Sequence, residues 1–134
     1  MNVIYKGIKP TIATPGSAGH DLQSVENVSL VPGEKKMIRT GLSTSMPVGM
    51  VALVFIRSSV AKRGLQLMNH VAVIDADFPS EWMLMVQNTS SEIYRISEGD
   101  RLAQAVFIQY ETPNFIEGNP LQGERTGGMG STGI

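Results

Sequence analysis

One hundred and thirty-four residues, 42% of them hydrophobic, suffice for one domain with a core of its own. A formal net charge of −1 gives no general attraction to nucleic acid or to an anionic membrane, so any phosphate must be handled by a few placed groups. The absence of cysteine excludes disulfide frameworks, thiol nucleophiles and Cys-based zinc sites, and two separate histidines are too few for a His-rich metal centre.

In chain order, "MNVIYKGIKP" lacks the apolar stretch of a signal peptide, and runs such as "MVALVFI" are far too short to cross a bilayer, so the cytoplasm is the expected compartment. "NVIYK" (2–6) reads as a first strand, and "SAGHDLQS" (17–24) as a Gly-containing loop that holds Asp21. "NVSLV", "KKMIRTGLSTSM" and "MVALVFI" follow as strands, set apart by "VPGE" and "MPVG". "SSVAKR" (58–63) is the one expected helical turn. "HVAVID", "WMLMVQN" and "AQAVFIQY" complete the strands; the last has helical apolar spacing, but its "VFI" and a preceding Gly-Asp turn favour β. Many short strands with close turns predict an all-β barrel or sandwich.

Several polar residues exceed what such a fold requires. In "VFIRSSVAKRG" a strand runs into Arg57, Ser58 and Ser59, placing a guanidinium and two hydroxyls at a strand end, which suits an anion. The competing reading is a helix N-cap by Ser58 or Ser59 with a solvated arginine beside it. Ser59 and Lys62 match a Ser-x-x-Lys spacing, without the further motifs that chemistry needs. Asp75 and Asp77 end an apolar strand; one such aspartate can act as a general base, whereas an Asx-turn accounts for Asp77. Gln104 lies inside an otherwise apolar strand and must find partners, in a buried network or on a ligand.

Taken in order, "AGHDL" (18–22), "RSSVAKRG" (57–64), "NHVAVIDADF" (69–78), "GDRLAQAVF" (99–107) and "RTGGMGSTG" (125–133) resemble the five motifs of the homotrimeric dUTP nucleotidohydrolases, or dUTPases. The resemblance implies a jelly-roll-like β-barrel over 1–123 and a flexible glycine-rich arm over 124–134. It implies a homotrimer with three sites at subunit interfaces, and hydrolysis of dUTP to dUMP and pyrophosphate with Mg²⁺ on the triphosphate. Asp75 matches the water-activating aspartate. Arg57, Ser58, Ser59 and Gln104 match the groups around the α- and β-phosphates. Asn69 and the backbone at Val73 and Ile74 match the uracil reader, and Met83 a further pocket wall. No direct protein ligand for the metal is implied, Asp21 acting through its waters. In the arm, Arg125 would meet the γ-phosphate, Ser131 and Thr132 would add hydroxyls, and Met129 would cap the base.

The departures are specific. Phe78 replaces a tyrosine that packs on the deoxyribose and keeps the ring face. Ser80 and Ala72 replace glycines, and His20 an aromatic. Met129 replaces the aromatic that stacks on uracil, so weaker base capture is expected, and relaxed deoxynucleotide specificity is the leading alternative. A dUTPase-like protein with an additional protein-binding regulatory role, such as toward a host protein, is a second. The related dCTP deaminases are disfavoured: Met85 stands where their catalytic glutamate would, and Lys62 where they favour an arginine.

Overall fold

The computed structural model describes residues 1–120 together with Gly127, Gly128 and Gly130. The chain folds as β1 (Ile4–Gly7), β2 (His20–Gln23), β3 (Val28–Leu30), β4 (Lys35–Arg39), β5 (Leu42–Ser45), β6 (Met50–Ile56), α1 (Ser58–Lys62), β7 (Leu65–Leu67), β8 (Ala72–Ile74), β9 (Met83–Asn88), β10 (Tyr94–Ile96) and β11 (Arg101–Gln109). The strands pair antiparallel in the orders β1-β5, β10-β3, β2-β11-β6-β8 and β4-β9-β7. The mostly β expectation holds, "AQAVFIQY" is strand, and the helix falls on "SSVAK".

Three short strands escape the sequence reading, namely β2, β7 and β10. Each is diluted by polar residues, and each depends on its ladder rather than on its own propensity: β2 and β7 on the longer β11 and β9, and β10 on β3, a strand as short as itself. The long run 35–46 splits into β4 and β5 at Thr40 and Gly41, and "HVAVID" shortens to β8 because His70 adopts φ +61 in a tight turn.

β6 and β11 are the longest strands, and their ladder runs from Ala103 opposite Ile56 to Gln109 opposite Met50. On β6, Ala52 and Val54 face the core, while Leu53 and Phe55 are half-buried on the other face. On its β2 side, β11 carries a bulge: Arg101 opposes Gln23 but Ala103 opposes Leu22, so Leu102 is the extra residue. Leu102 and Ala103 are both buried, and the bulge reverses which face the side chain of Arg101 takes.

The core includes Leu22, Leu30, Ile38, Leu42, Leu84 and Trp82. Trp82 is 1% exposed; its ring Nε1 donates to Thr44 Oγ1 at 3.1 Å and its backbone N–H to the Leu42 carbonyl at 2.7 Å, which ties the end of the 75–82 loop to β5. Asn88 is fully buried and satisfied: Nδ2 donates to the carbonyls of Leu30 (2.9 Å) and Glu92 (2.7 Å), while Oδ1 accepts from the Ser90 N–H and hydroxyl. Asn88→Ala leaves two carbonyls and a backbone N–H without these partners. Its expected cost is about 2 to 4 kcal/mol by urea unfolding, and a loss below about 1 kcal/mol would mean the network is not what ties β9 to β3.

Candidate active site

The sheet β2-β11-β6-β8 lays out one row of side chains across its strands. Asp21 on β2 opposes Gln104 on β11, which opposes Phe55 on β6. Opposed residues share a face, so these three stand together by register alone. They floor a cleft of about 580 Å³ whose lining also includes Arg57, Ser58 and Ser59. The loop of Ser17, Ala18 and Gly19 forms part of its wall. Gly19 is required by close approach: a Cβ there would run into the Gln104 side-chain amide.

Asp21 lies on a strand, not in the loop expected of "SAGHDLQS", because its N–H donates to the Thr11 carbonyl and its strand pairs with β11. Its side chain is only 10% exposed and bridges two guanidinium groups, Arg57 Nε at 3.4 Å and Arg101 Nη1 at 3.3 Å. The Arg57 Nη1 also donates to the Arg101 carbonyl at 3.0 Å, and the Arg57 backbone N–H to the Leu102 carbonyl at 3.0 Å. Arg57 is therefore held at its backbone and at two nitrogens of its head. Arg101 is a site residue that the sequence reading missed, since strict alternation from Gln104 would send its side chain to the core face.

The N-cap reading of Ser58 and Ser59 is corrected. Arg57 itself is the N-cap, extended at φ −71 and ψ 146, with no side-chain cap bond. Its carbonyl accepts the N–H groups of Val60 and Ala61. Ser58 and Ser59 thus line the cleft in the first turn of the helix without serving as its cap. The helix is one short turn because Gly64, at φ +97, takes the chain away toward β7.

The remaining sequence-derived residues lie elsewhere on the chain. Val73 opposes Leu53 on the face of the sheet that carries Phe55, and is 62% exposed. Ile74 points to the core. β8 is an edge strand, so the backbone of Val73 and Ile74 has one side not paired within the sheet. Asp75 follows β8 directly and is exposed; among the described residues its carboxylate accepts no hydrogen bond, and the turn is closed by the Phe78 N–H on the Asp75 carbonyl, not by an Asx contact from Asp77. Phe78 packs partly on the core, and His20 meets Phe107 edge-on at 5.5 Å, serving as an aromatic. Asn69 is exposed in the His70 turn, and Met83 is half-buried opposite Arg39. Arg39 clasps Glu81 with two nitrogens, both at 3.1 Å, and this hydrogen bonding holds the Glu81 carboxyl below its ordinary value. Arg125, Met129, Ser131 and Thr132 lie outside the described residues.

The chain places Asp75 far from its own Arg57. Ile74 opposes Ala52, so Asp75 falls beside Val51, six positions along β6 from Arg57. At ~3.3 Å per residue that is roughly 20 Å, farther than an arginine side chain reaches.

Comparison with known proteins gives a uniform result. The dUTPase family model matches residues 6–133. The deoxyuridine 5'-triphosphate nucleotidohydrolase of Desulfitobacterium hafniense is 42% identical over 131 residues, covering 93% of this chain and 87% of the relative. That of Lactococcus lactis is 40% identical, covering 92% and 87%. Among solved structures, Staphylococcus bacteriophage 80alpha dUTPase with dUpNHpp is 25% identical, with a TM-score of 0.88 and 99% of each chain covered. The dUTPase of Streptococcus mutans is 28% identical, with a TM-score of 0.76, covering 83% of this chain and 98% of that one.

The contact between Gly19 and Gln104 carries a prediction. Gly19→Ala displaces the Gln104 amide, and kcat/KM toward the nucleotide is expected to fall about tenfold with little change in thermal midpoint, as for misplacement of a positioning group. Unchanged kcat/KM would remove that contact from the working geometry.

Proposed function

The chain belongs to the dUTPase family and hydrolyses dUTP, and on that premise we propose how its residues divide the work between subunits of a jelly-roll-like homotrimer acting in the cytoplasm. Water attacks the α-phosphorus; a new P–O bond forms, the bond to the bridging oxygen breaks, and pyrophosphate leaves. Asp75 takes the proton of that water, which a carboxylate can do because the proton becomes acidic only as the P–O bond forms. Arg57, Ser58, Ser59 and Gln104 meet the phosphate oxygens and balance the charge that moves toward the leaving group. Asn69 and the free edge of β8 at Val73 and Ile74 read the uracil, Met83 closes a wall, and Phe78 offers a ring face to the deoxyribose. Residues 124–134 form the arm that covers the bound nucleotide, with Arg125 at the γ-phosphate, Ser131 and Thr132 adding hydroxyl contacts, and Met129 over the base.

The separation between Asp75 and Arg57 on one chain carries the shared-site reading. An α-phosphorus within one water of Asp75 cannot also sit beneath the same chain's Arg57, so the arginine must come from a second copy. The exposure of Val73, of Phe115 (94%) and of Ile116 (90%) supports such a contact, since apolar groups this open are costly on a lone chain.

The donor set fits Mg²⁺ as a passenger on the substrate. Among the described residues Asp21 is the only carboxylate in the cleft lining, and both its oxygens already meet guanidinium groups. Among the described residues no three His, Cys, Asp or Glu side chains gather as a cage. A hydrated ion held by triphosphate oxygens, with Asp21 touching its waters, suits these residues. When bound, Mg²⁺ screens the phosphate charge and helps fix the triphosphate for in-line attack.

Two measurements test the proposal. Asp75→Asn is expected to lower kcat by about a hundredfold or more while dUpNHpp still binds, and full activity would remove Asp75 from the mechanism. Arg57→Ala and Asp75→Asn, each nearly inactive alone, should recover up to roughly a quarter of wild-type activity when their subunits are exchanged, because that share of sites regains both residues from different chains. No recovery after demonstrated exchange would place both groups on one subunit.

A further inference from the structure

Arg57 and Ser59 also border a second concavity, of about 350 Å³, whose other lining residues include Arg63, Tyr94, Asp100 and Arg101. Apart from Arg57 and Ser59, its lining residues have no part in the base or triphosphate contacts proposed above. Arg63 ends helix α1, and its guanidinium carbon lies 4.8 Å from the centroid of the Tyr94 ring. Among the described residues Arg63 has no carboxylate partner, in contrast to Arg57 and Arg101, which share Asp21. Tyr94 is 5% exposed, and its hydroxyl has no hydrogen-bond partner, a costly state for a buried donor. Burial pushes the Tyr94 pKa up, so the hydroxyl keeps its proton at neutral pH. Among the described residues Asp100 is the one carboxylate in the wall, and its Oδ2 accepts the Ser97 N–H at 2.9 Å.

Three guanidinium groups around one concavity, opposed by Asp100 within it and by Asp21 behind two of them, leave a positive balance centred on Arg63. We propose that this concavity is a second anion site, built for a tetrahedral phosphoryl oxyanion held by Arg63 with Arg57 and Arg101 beside it and the Tyr94 hydroxyl as a neutral donor. Arginine groups around a small cleft favour such an ion: Arg63 can offer a paired N–H fork to paired oxygens, and Arg57 and Arg101 the nitrogens that Asp21 and the Arg101 carbonyl leave over. Two sources share this chemistry: free inorganic phosphate, and the pyrophosphate that the reaction releases. The site is distinct from the substrate's own phosphate contacts and meets them only through Arg57 and Ser59.

The test fills the substrate cleft first. Full-length protein saturated with dUpNHpp and Mg²⁺ is titrated with inorganic phosphate in one arm and pyrophosphate in the other, followed by calorimetry. One ion per chain is expected to bind, with Arg63→Gln weakening it about tenfold, Tyr94→Phe about threefold, and Arg63→Lys retaining most of the affinity. Turnover of dUTP by Arg63→Gln without added anion should stay near wild type, which separates loss of this site from loss of the fold or of the active site. Tighter binding of pyrophosphate identifies the released product as the occupant; equal or weaker binding identifies phosphate. Absence of any binding once the analogue is in place, or equal affinity in wild type and Arg63→Gln, overturns the proposal. If Arg63→Gln fails to fold, Tyr94→Phe and Arg63→Lys decide it: unaltered affinity in Tyr94→Phe, or lost affinity in a folded Arg63→Lys that keeps the charge, counts against the site as drawn.

Discussion

The register of β11 against its two neighbours is the constraint on which the cleft depends. One ladder sets Gln104 beside Phe55 and the other sets it beside Asp21, so three residues far apart in sequence become one row. A single-residue slip of β11 would bury Gln104 and expose Ala103 and Ala105, and the apolar partners on the core face resist that. The bulge at Leu102 adds the second half of the arrangement. It lets Leu102 and Ala103 both enter the core and turns Arg101 back toward Asp21.

The electrostatics follow from that geometry. Asp21 is largely buried, and a buried carboxylate is tolerated only when its charge is met, here by Arg57 and Arg101. One negative charge between two positive ones fixes the arginine heads without cancelling them. On the proposed function that surplus would meet a polyanionic substrate, with Arg57 already oriented by Asp21, so that less ordering would be left to the moment of binding. Gly19 serves the same end by steric means, leaving space for the Gln104 amide where any Cβ would intrude.

Much of this was legible in the chain, and the rest was hidden for identifiable reasons. Apolar runs announced β6 and β9, and β11 followed once its β-branched residues and the preceding Gly-Asp turn outweighed a helical spacing. His20, Asp21 and Gln23 on β2, Gln66 on β7 and Arg95 on β10 dilute that pattern, and those strands exist through their partners. Arg57, Ser58, Ser59 and Gln104 stood out as polar groups where a plain β-fold has no need of them, and the structure gathers all four. Arg101 stayed hidden because a bulge breaks the two-residue period by which faces are assigned. The capping role went to Arg57 because the extended strand conformation of β6 persists one residue past its last ladder pair, leaving the serines inside the first turn.

On the shared-site proposal, the same sheet accounts for the division of the site between its two ends. β6 serves both ends: its C-terminal end delivers Arg57 to the cleft lined by Asp21 and Gln104, and its N-terminal half supports β8, beyond which Asp75 emerges. Because β8 runs antiparallel to β6, extending it carries Asp75 away from Arg57, and no side-chain rotation recovers a distance set by strand length. Among the described residues Asp75 thus stands exposed and without a counter-charge at one end of the sheet, while arginines gather at the other. On the proposed shared-site reading, each end would supply what the other lacks once the Asp75 end of one copy meets the Arg57 end of the next. A closed ring of identical contacts would satisfy every such pair at once, which is what cyclic symmetry offers to a chain with two unlike complementary faces.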